Sequence, residues 1–135
     1  MLSKFWLPVF IWAAIIFSFS HTQTIKTSQF FWQDFFLKKT AHFTEYFIFF
    51  VLVYRGFRNT TAFSKVKTGL IALFFVFIYA SSDEYHQTFV PGREGTMRDV
   101  LIDLFGGTIA WFVLWKYLPK APVKLKNWAK NLRLA

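Results

Sequence analysis

The stretch SSDEYHQTFVPGREGTMRD, residues 81–99, holds four of the chain's seven acids, Asp83, Glu84, Glu94 and Asp99, with His86, Arg93 and Arg98 among them. A second stretch, KKTAHFTEYF at 38–47, carries His42 and Glu45 beside Tyr46, and Asp103 follows shortly after the first. These groups suit acid–base work on a charged substrate. Carboxylates held close together share protons, an imidazole shuttles them, and a guanidinium matches a phosphate through two parallel hydrogen bonds. In this scheme Glu84 or Asp83 is the general base, Asp103 or Glu45 a protonated acid, His42 the shuttle and Arg93 the phosphate holder. Neither stretch has a Ser or Cys nucleophile motif or a phosphate-cradling glycine loop. A divalent metal is compatible with His42 and the carboxylates, but the His-x-x-Glu spacing of His42 and Glu45 is common. A metal is therefore not favoured, no metal ligand is assigned, and the cofactor is unknown.

Helical spacing puts these residues on shared faces. His42, Glu45, Tyr46 and Phe49 fall on one face, Ala80, Asp83, Glu84 and Gln87 on a second, and Asp99, Asp103, Gly106, Gly107 and Ala110 on a third. His86 and Tyr85 fall off the second face and are expected to be peripheral. The small residues Gly106, Gly107 and Ala110 would let their helix pack closely against a neighbour.

The elements carrying these faces are apolar. The chain is 55% hydrophobic and 17% charged, and its apolar residues lie in long runs: Phe5 to Phe19, Tyr46 to Tyr54, Gly69 to Ala80 and Leu104 to Leu118. With their uncharged flanks these runs approach the roughly 17–25 residues that a membrane helix needs. The expectation is an all-α, integral membrane, four-helix antiparallel bundle forming a single domain over 1–135. Its helices lie at about 4–20, 40–55, 67–86 and 98–118, with a basic tail at 119–135. A short outer interfacial helix is expected between the first two, because Phe31, Trp32, Phe35 and Phe36 recur at helical spacing in SQFFWQDFFLKK.

A net charge of +9 would point to nucleic acid in a soluble chain, but its distribution points elsewhere. Eleven of the sixteen basic residues (Lys4, Arg55, Arg58, Lys65, Lys67 and the six from Lys116 to Arg133) fall on one side of a four-crossing topology. The positive-inside rule puts that side, with both termini, in the cytoplasm. The expected location is the bacterial inner membrane, the expected partners are its lipids, and no nucleic acid is expected. The tail, with Leu125, Trp128 and Leu132 among lysines, is expected to rest on anionic headgroups. With no Cys, disulfides and thiolate chemistry are excluded. The first segment also fits a signal peptide ending in SFSH. Its cleavage would put the basic tail outside, so an uncleaved helix is expected. In this topology the three polar faces meet at the outer side.

Plainer structural roles stand beside these assignments. His42 could sit in the interface, Glu45 and Arg93 could form one ion pair, and Gln87 could satisfy backbone groups at a helix end. Thr96 and Asp99 have the spacing of a capping box. VPGR has Pro91 and Gly92 where a type II turn needs them, which would hold Arg93 near the cluster.

KTAHFTEYF followed by DEYHQTFVPGREGTMRDVLIDLFGG resembles the VanZ-like family of small bacterial membrane proteins. The family pattern has Lys-x-x-His and a following Tyr, then Asp-Glu-x-x-Gln-x-Phe, an Arg, and an Asp with a later Asn and Gly. It carries onto Lys39, His42, Tyr46, Asp83, Glu84, Gln87, Phe89, Arg93, Asp99 and Gly106, while Asp103 stands where the family has Asn. The resemblance spans Lys39 to Gly107, about half the chain. It implies an envelope protein linked to resistance to the lipid-bearing glycopeptide teicoplanin, and a binding set of Lys39, Tyr46, Gln87, Arg93 and Asp99. The partner implied is a lipid-linked envelope precursor or a lipoglycopeptide. Two functions compete: an acid–base enzyme acting on a lipid or precursor headgroup, and a non-catalytic binder of a headgroup or lipophilic antibiotic. A structural membrane protein or a proton-coupled transporter fits less well.

The topology is directly testable in this cysteine-free chain. Single cysteines at positions 26, 60, 92 and 128 are expected to react with an impermeant thiol reagent in intact cells at 26 and 92 only. Labelling at 128 would overturn the four-crossing arrangement.

Overall fold

The computed structural model describes residues 3–21, 31–93 and 95–134. Among these residues the chain is all-α, with five α-helices and no strand. Helices α1 (Ser3–His21), α2 (Phe31–Thr60), α3 (Lys65–Gln87) and α4 (Met97–Phe112) run up and down. Phe5 at the start of α1 lies under Arg55 near the end of α2. Ser20 at the far end of α1 meets Asp83 near the end of α3. The start of α1, the 55–67 segment and the tail therefore share one end of the bundle. The polar segments occupy the other. Helices α1 and α3 are long and apolar enough to cross a membrane.

Helix α2 is the central element, with Tyr46, Phe49, Phe50, Val53 and Tyr54 all buried. Two hydrogen bonds fasten α1 across it: Trp12 Nε1 donates to the Glu45 carbonyl at 2.9 Å, and Tyr79 Oη donates to the Ala13 carbonyl at 2.6 Å. Large apolar side chains, among them Phe10, Phe74, Phe77, Leu101 and Phe105, are exposed on the outside. Asp83, Glu84, Gln87, Asp99 and Asp103 are buried. A buried polar cluster thus sits at one end of an apolar core, and large apolar side chains also cover the outside.

Two expected element boundaries are corrected. Residues 31–39 do not form a separate interfacial helix; they are the first turns of α2, which runs 30 residues without a break. No Gly or Pro occurs from Phe31 to Arg55, so nothing interrupts the backbone ladder. Residues 28–30 of the expected interfacial segment lie outside the described residues. The last crossing, expected as one helix over 98–118, is α-helical only to Phe112. It continues as a π-helical turn, Val113–Tyr117, and a 3₁₀ turn, Leu118–Lys120. Pro119 has no N–H to donate to the carbonyl four residues back and its ring crowds that carbonyl, and the wider turn precedes it.

The tail forms α5 (Val123–Asn131) and ends in a reciprocal cap. Arg133 N–H donates to the Lys130 carbonyl and Leu134 N–H to the Ala129 carbonyl, with Arg133 at φ 56° and Leu134 buried. Arg55 Nε and Asn59 Nδ2 donate to the carbonyls of Leu132 and Arg133. The tail is therefore docked on the end of α2, while Leu125 and Trp128 stay exposed.

Helices α2 and α4 approach closely at Gly106. A Cβ there would lie 2.5 Å from the Phe43 carbonyl oxygen, whereas one at Gly107 would meet only Val76 and Leu73 side-chain atoms at 3.2–3.4 Å. Backbone cannot yield as a side chain can. Gly106→Ala is expected to cost about 1–3 kcal/mol by overpacking, and Gly107→Ala clearly less. Thermal unfolding of both variants in detergent checks the order.

Candidate functional site

At the polar end, α3 stops at Gln87 and the chain turns back through Val90–Arg93. Arg93 N–H donates to the Val90 carbonyl at 3.1 Å and Gly92 takes φ 79°. That is the type II turn the sequence predicts. Gly95 then presses against α3: a Cβ there would stand 2.2 Å from the Glu84 carbonyl oxygen. This close approach brings Thr96, the N-cap of α4, beside the Glu84 side chain, and Thr96 N–H donates to Glu84 Oε2 at 2.9 Å.

The expected capping box is not formed. Thr96 makes no side-chain cap, and Glu84 from α3 takes the N–H that an N3 acid would accept. Asp99 is thereby free for another partner and forms an ion pair with Lys39 of α2. A carboxylate from a neighbouring helix replaces the local one.

The adjacent acids Asp83 and Glu84 diverge, because successive helical residues point about 100° apart. Asp83 turns toward α1, where its Oδ2 accepts from Ser20 Oγ at 2.7 Å and from Gln87 Nε2 at 3.0 Å. Glu84 turns toward α4. His42 Nδ1 lies 3.3 Å from Oδ1 of the fully buried Asp103. Tyr46 is also fully buried, and its hydroxyl has no hydrogen-bond partner.

A cleft of about 890 Å³ opens beside this cluster. Ser20, His42, Glu45, Gln87 and Asp99 line it with the cationic side chains of Lys38, Lys39, Arg93 and Arg98. Arg93 Nη2 donates to the Phe19 carbonyl at 2.8 Å. Glu84 and Asp103 stand behind the wall, next to His42 rather than in the lining. A cleft with cations around it and an imidazole backed by a carboxylate can hold an anion and move a proton at its edge.

The structure brings His42, Glu84 and Asp103 together. It places Glu45, Gln87, Asp99, Lys39 and Arg93 around the cleft, and sets Asp83 and Tyr46 behind it. Arg93, the expected phosphate holder, shares the cleft with Lys38, Lys39 and Arg98. His86 lies outside the cleft lining, in an exposed contact where its Nε2 stands 3.1 Å from His21 Nδ1 and Phe17 packs on its ring. Ser20, buried and bonded to Asp83, carried no signal in the sequence beyond its place in SFSH.

Residues 5–118 match the profile of the family described as VanZ/LLP1. Neither curated proteins nor solved structures yield a match.

The Lys39–Asp99 pair ties α2 to the start of α4. Lys39→Met is expected to destabilise the fold by leaving Asp99 with only the longer, exposed Arg98 contact at 3.8 Å as counter-charge, and Asp99→Asn in the same chain to restore part of the loss. A double-mutant cycle read by thermal unfolding should give a coupling of roughly 0.5–3 kcal/mol. Additive single effects would show the pair to be idle.

Proposed function

Because the chain belongs to the VanZ/LLP1 family, we propose that it is a multi-pass protein of the bacterial cytoplasmic membrane whose cleft receives a phosphate-bearing headgroup at the outer leaflet. The headgroup is that of a lipid or of a lipid-linked envelope precursor, and the protein acts on it by acid–base chemistry. Family membership fits an envelope protein associated with glycopeptide resistance.

One observation carries this reading: cations and a carboxylate-backed imidazole converge on one cleft at the end of a bundle with an apolar outside. The exposed apolar surface of α1, α3 and α4 would cover far more than the few hundred Å² that soluble monomers usually leave open. Helices α2 and α4 complete four crossings, α4 through its π-helical continuation. The basic end, with the docked tail, then faces the cytoplasm.

In the proposed chemistry Arg93, Lys39 and Arg98 hold the phosphate. His42, on the cleft wall, moves the proton, and Asp103 behind it sets the ring orientation. Glu45 is the second acid on the wall. Gln87 is fixed by Asp83 and Ser20, so its position is set before any ligand arrives. Binding without turnover is the second reading. It is favoured by the placement of Glu84 and Asp103 behind the lining, where they do not touch a headgroup.

The test is mass spectrometry of the purified protein incubated with a bacterial envelope lipid extract. One phosphate-bearing lipid class should be enriched over Arg93→Ala and chemically converted, and His42→Gln should slow conversion roughly 10²–10⁴-fold. Enrichment without conversion would establish the binder. No class enriched over Arg93→Ala would sink both.

A further inference from the structure

We propose that His42, Glu84 and Asp103 form a binding site for one divalent transition-metal ion of the Zn²⁺ or Mn²⁺ kind. One ligand atom from each residue lies within 4.8 Å of the others. The three come from α2, α3 and α4, so the site exists only when the bundle is closed.

The unsatisfied atoms are the independent sign. Asp103 is 0% exposed, and both of its carboxylate oxygens lack a hydrogen-bond partner. Glu84 Oε1 and His42 Nδ1 are buried and equally unsatisfied, although His42 Nδ1 stands 3.3 Å from Asp103 Oδ1. A buried polar atom with no hydrogen bond is costly, and a buried carboxylate more so; one imidazole at 3.3 Å compensates Asp103 only in part. Lys39, the lysine nearest in sequence to His42, is held by Asp99. A single dication would neutralise two carboxylates and satisfy one atom of each residue at once, and both oxygens of Asp103 where that carboxylate binds bidentately.

The dimensions and chemistry fit such an ion. Nitrogen and oxygen ligands bind Zn²⁺ at about 2.0–2.2 Å, so in a tetrahedral site two of them stand about 3.3–3.6 Å apart. His42 Nδ1 and Asp103 Oδ1, at 3.3 Å, already have that spacing, and side-chain rotation of roughly an ångström brings the group, now within 4.8 Å, onto one ion. An imidazole favours a transition metal over Mg²⁺ or Ca²⁺, and the two carboxylates keep Mn²⁺ within range. Thr96 N–H fixes Glu84 by its other oxygen, Oε2, and so aims Oε1 at the site. Three protein ligands leave positions open, and His42 reaches the cleft. An ion here would stand behind His42, one imidazole away from the cleft that receives the proposed headgroup. To that extent the proposal rests on the headgroup reading, but metal binding is measured without lipid, and its failure would leave the headgroup result standing.

The experiment uses the full chain in detergent, stripped with EDTA and titrated with ZnCl₂ and MnCl₂ by calorimetry and thermal unfolding. Metal content before stripping is read by mass spectrometry. One ion per chain is expected, with a melting temperature that rises with metal. Asp103→Asn and Glu84→Gln should each weaken binding at least tenfold while keeping helical circular dichroism. His21→Ala, which removes the exposed His21–His86 pair, should leave the affinity within twofold. If Asp103→Asn does not fold, Glu84→Gln decides. The proposal fails if wild type binds no ion saturably, if Glu84→Gln binds as wild type does, or if binding is lost in His21→Ala.

Discussion

The close approach of α2 and α4 at Gly106 is the constraint on which the rest depends. Only a hydrogen at that position lets the Phe43 carbonyl come so near. His42 is the neighbour of Phe43, and Asp103 lies one turn before Gly106 on α4. The spacing of the two backbones therefore sets the spacing of the imidazole and the carboxylate. A larger residue at 106 would not remove any chemical group of the site. It would separate them.

From that contact the polar end is assembled by borrowing across helices. Glu84 caps α4 from α3, which releases Asp99 to Lys39, which in turn holds the first turns of α2 against α4. Ser20 and Gln87 satisfy one oxygen of Asp83 and bind α1 to α3. The Gln87–Asp83 bond is local to α3, and the other links cross between helices. The polar residues thus act as fasteners between helices whose outer surfaces are apolar, a division that makes sense where lipid supplies no hydrogen bonds. Asp83 Oδ1, Tyr46 Oη and Thr96 Oγ1 also lack hydrogen-bond partners, and the unsatisfied atoms of His42, Glu84 and Asp103 converge within 4.8 Å.

Much of this was legible beforehand. Period-3.6 spacing identified the inward faces of α2, α3 and α4, because a buried face recurs along a helix whatever it packs against. Gly92 announced its turn, since φ near +80° after Pro is a local requirement. The continuity of α2 through residues 31–39 was missed because aromatic periodicity shows that a segment is helical, not whether the next helix is the same one. The role of Ser20 was missed because a lone serine at a helix end has no periodicity.

The sequence by itself determined which side chains face inward and that the polar ones gather at one end, since both follow from local spacing and the order of antiparallel elements. Only the tertiary structure decided the partners: Glu84 with Thr96 rather than Asp99, His42 with Asp103 rather than Glu45, Asp83 with Ser20. Pairing depends on interhelical distance and rotation of a few ångströms and tens of degrees. Those are set by packing of residues far apart in the chain, above all at Gly106 and Gly95, and no window of sequence contains them.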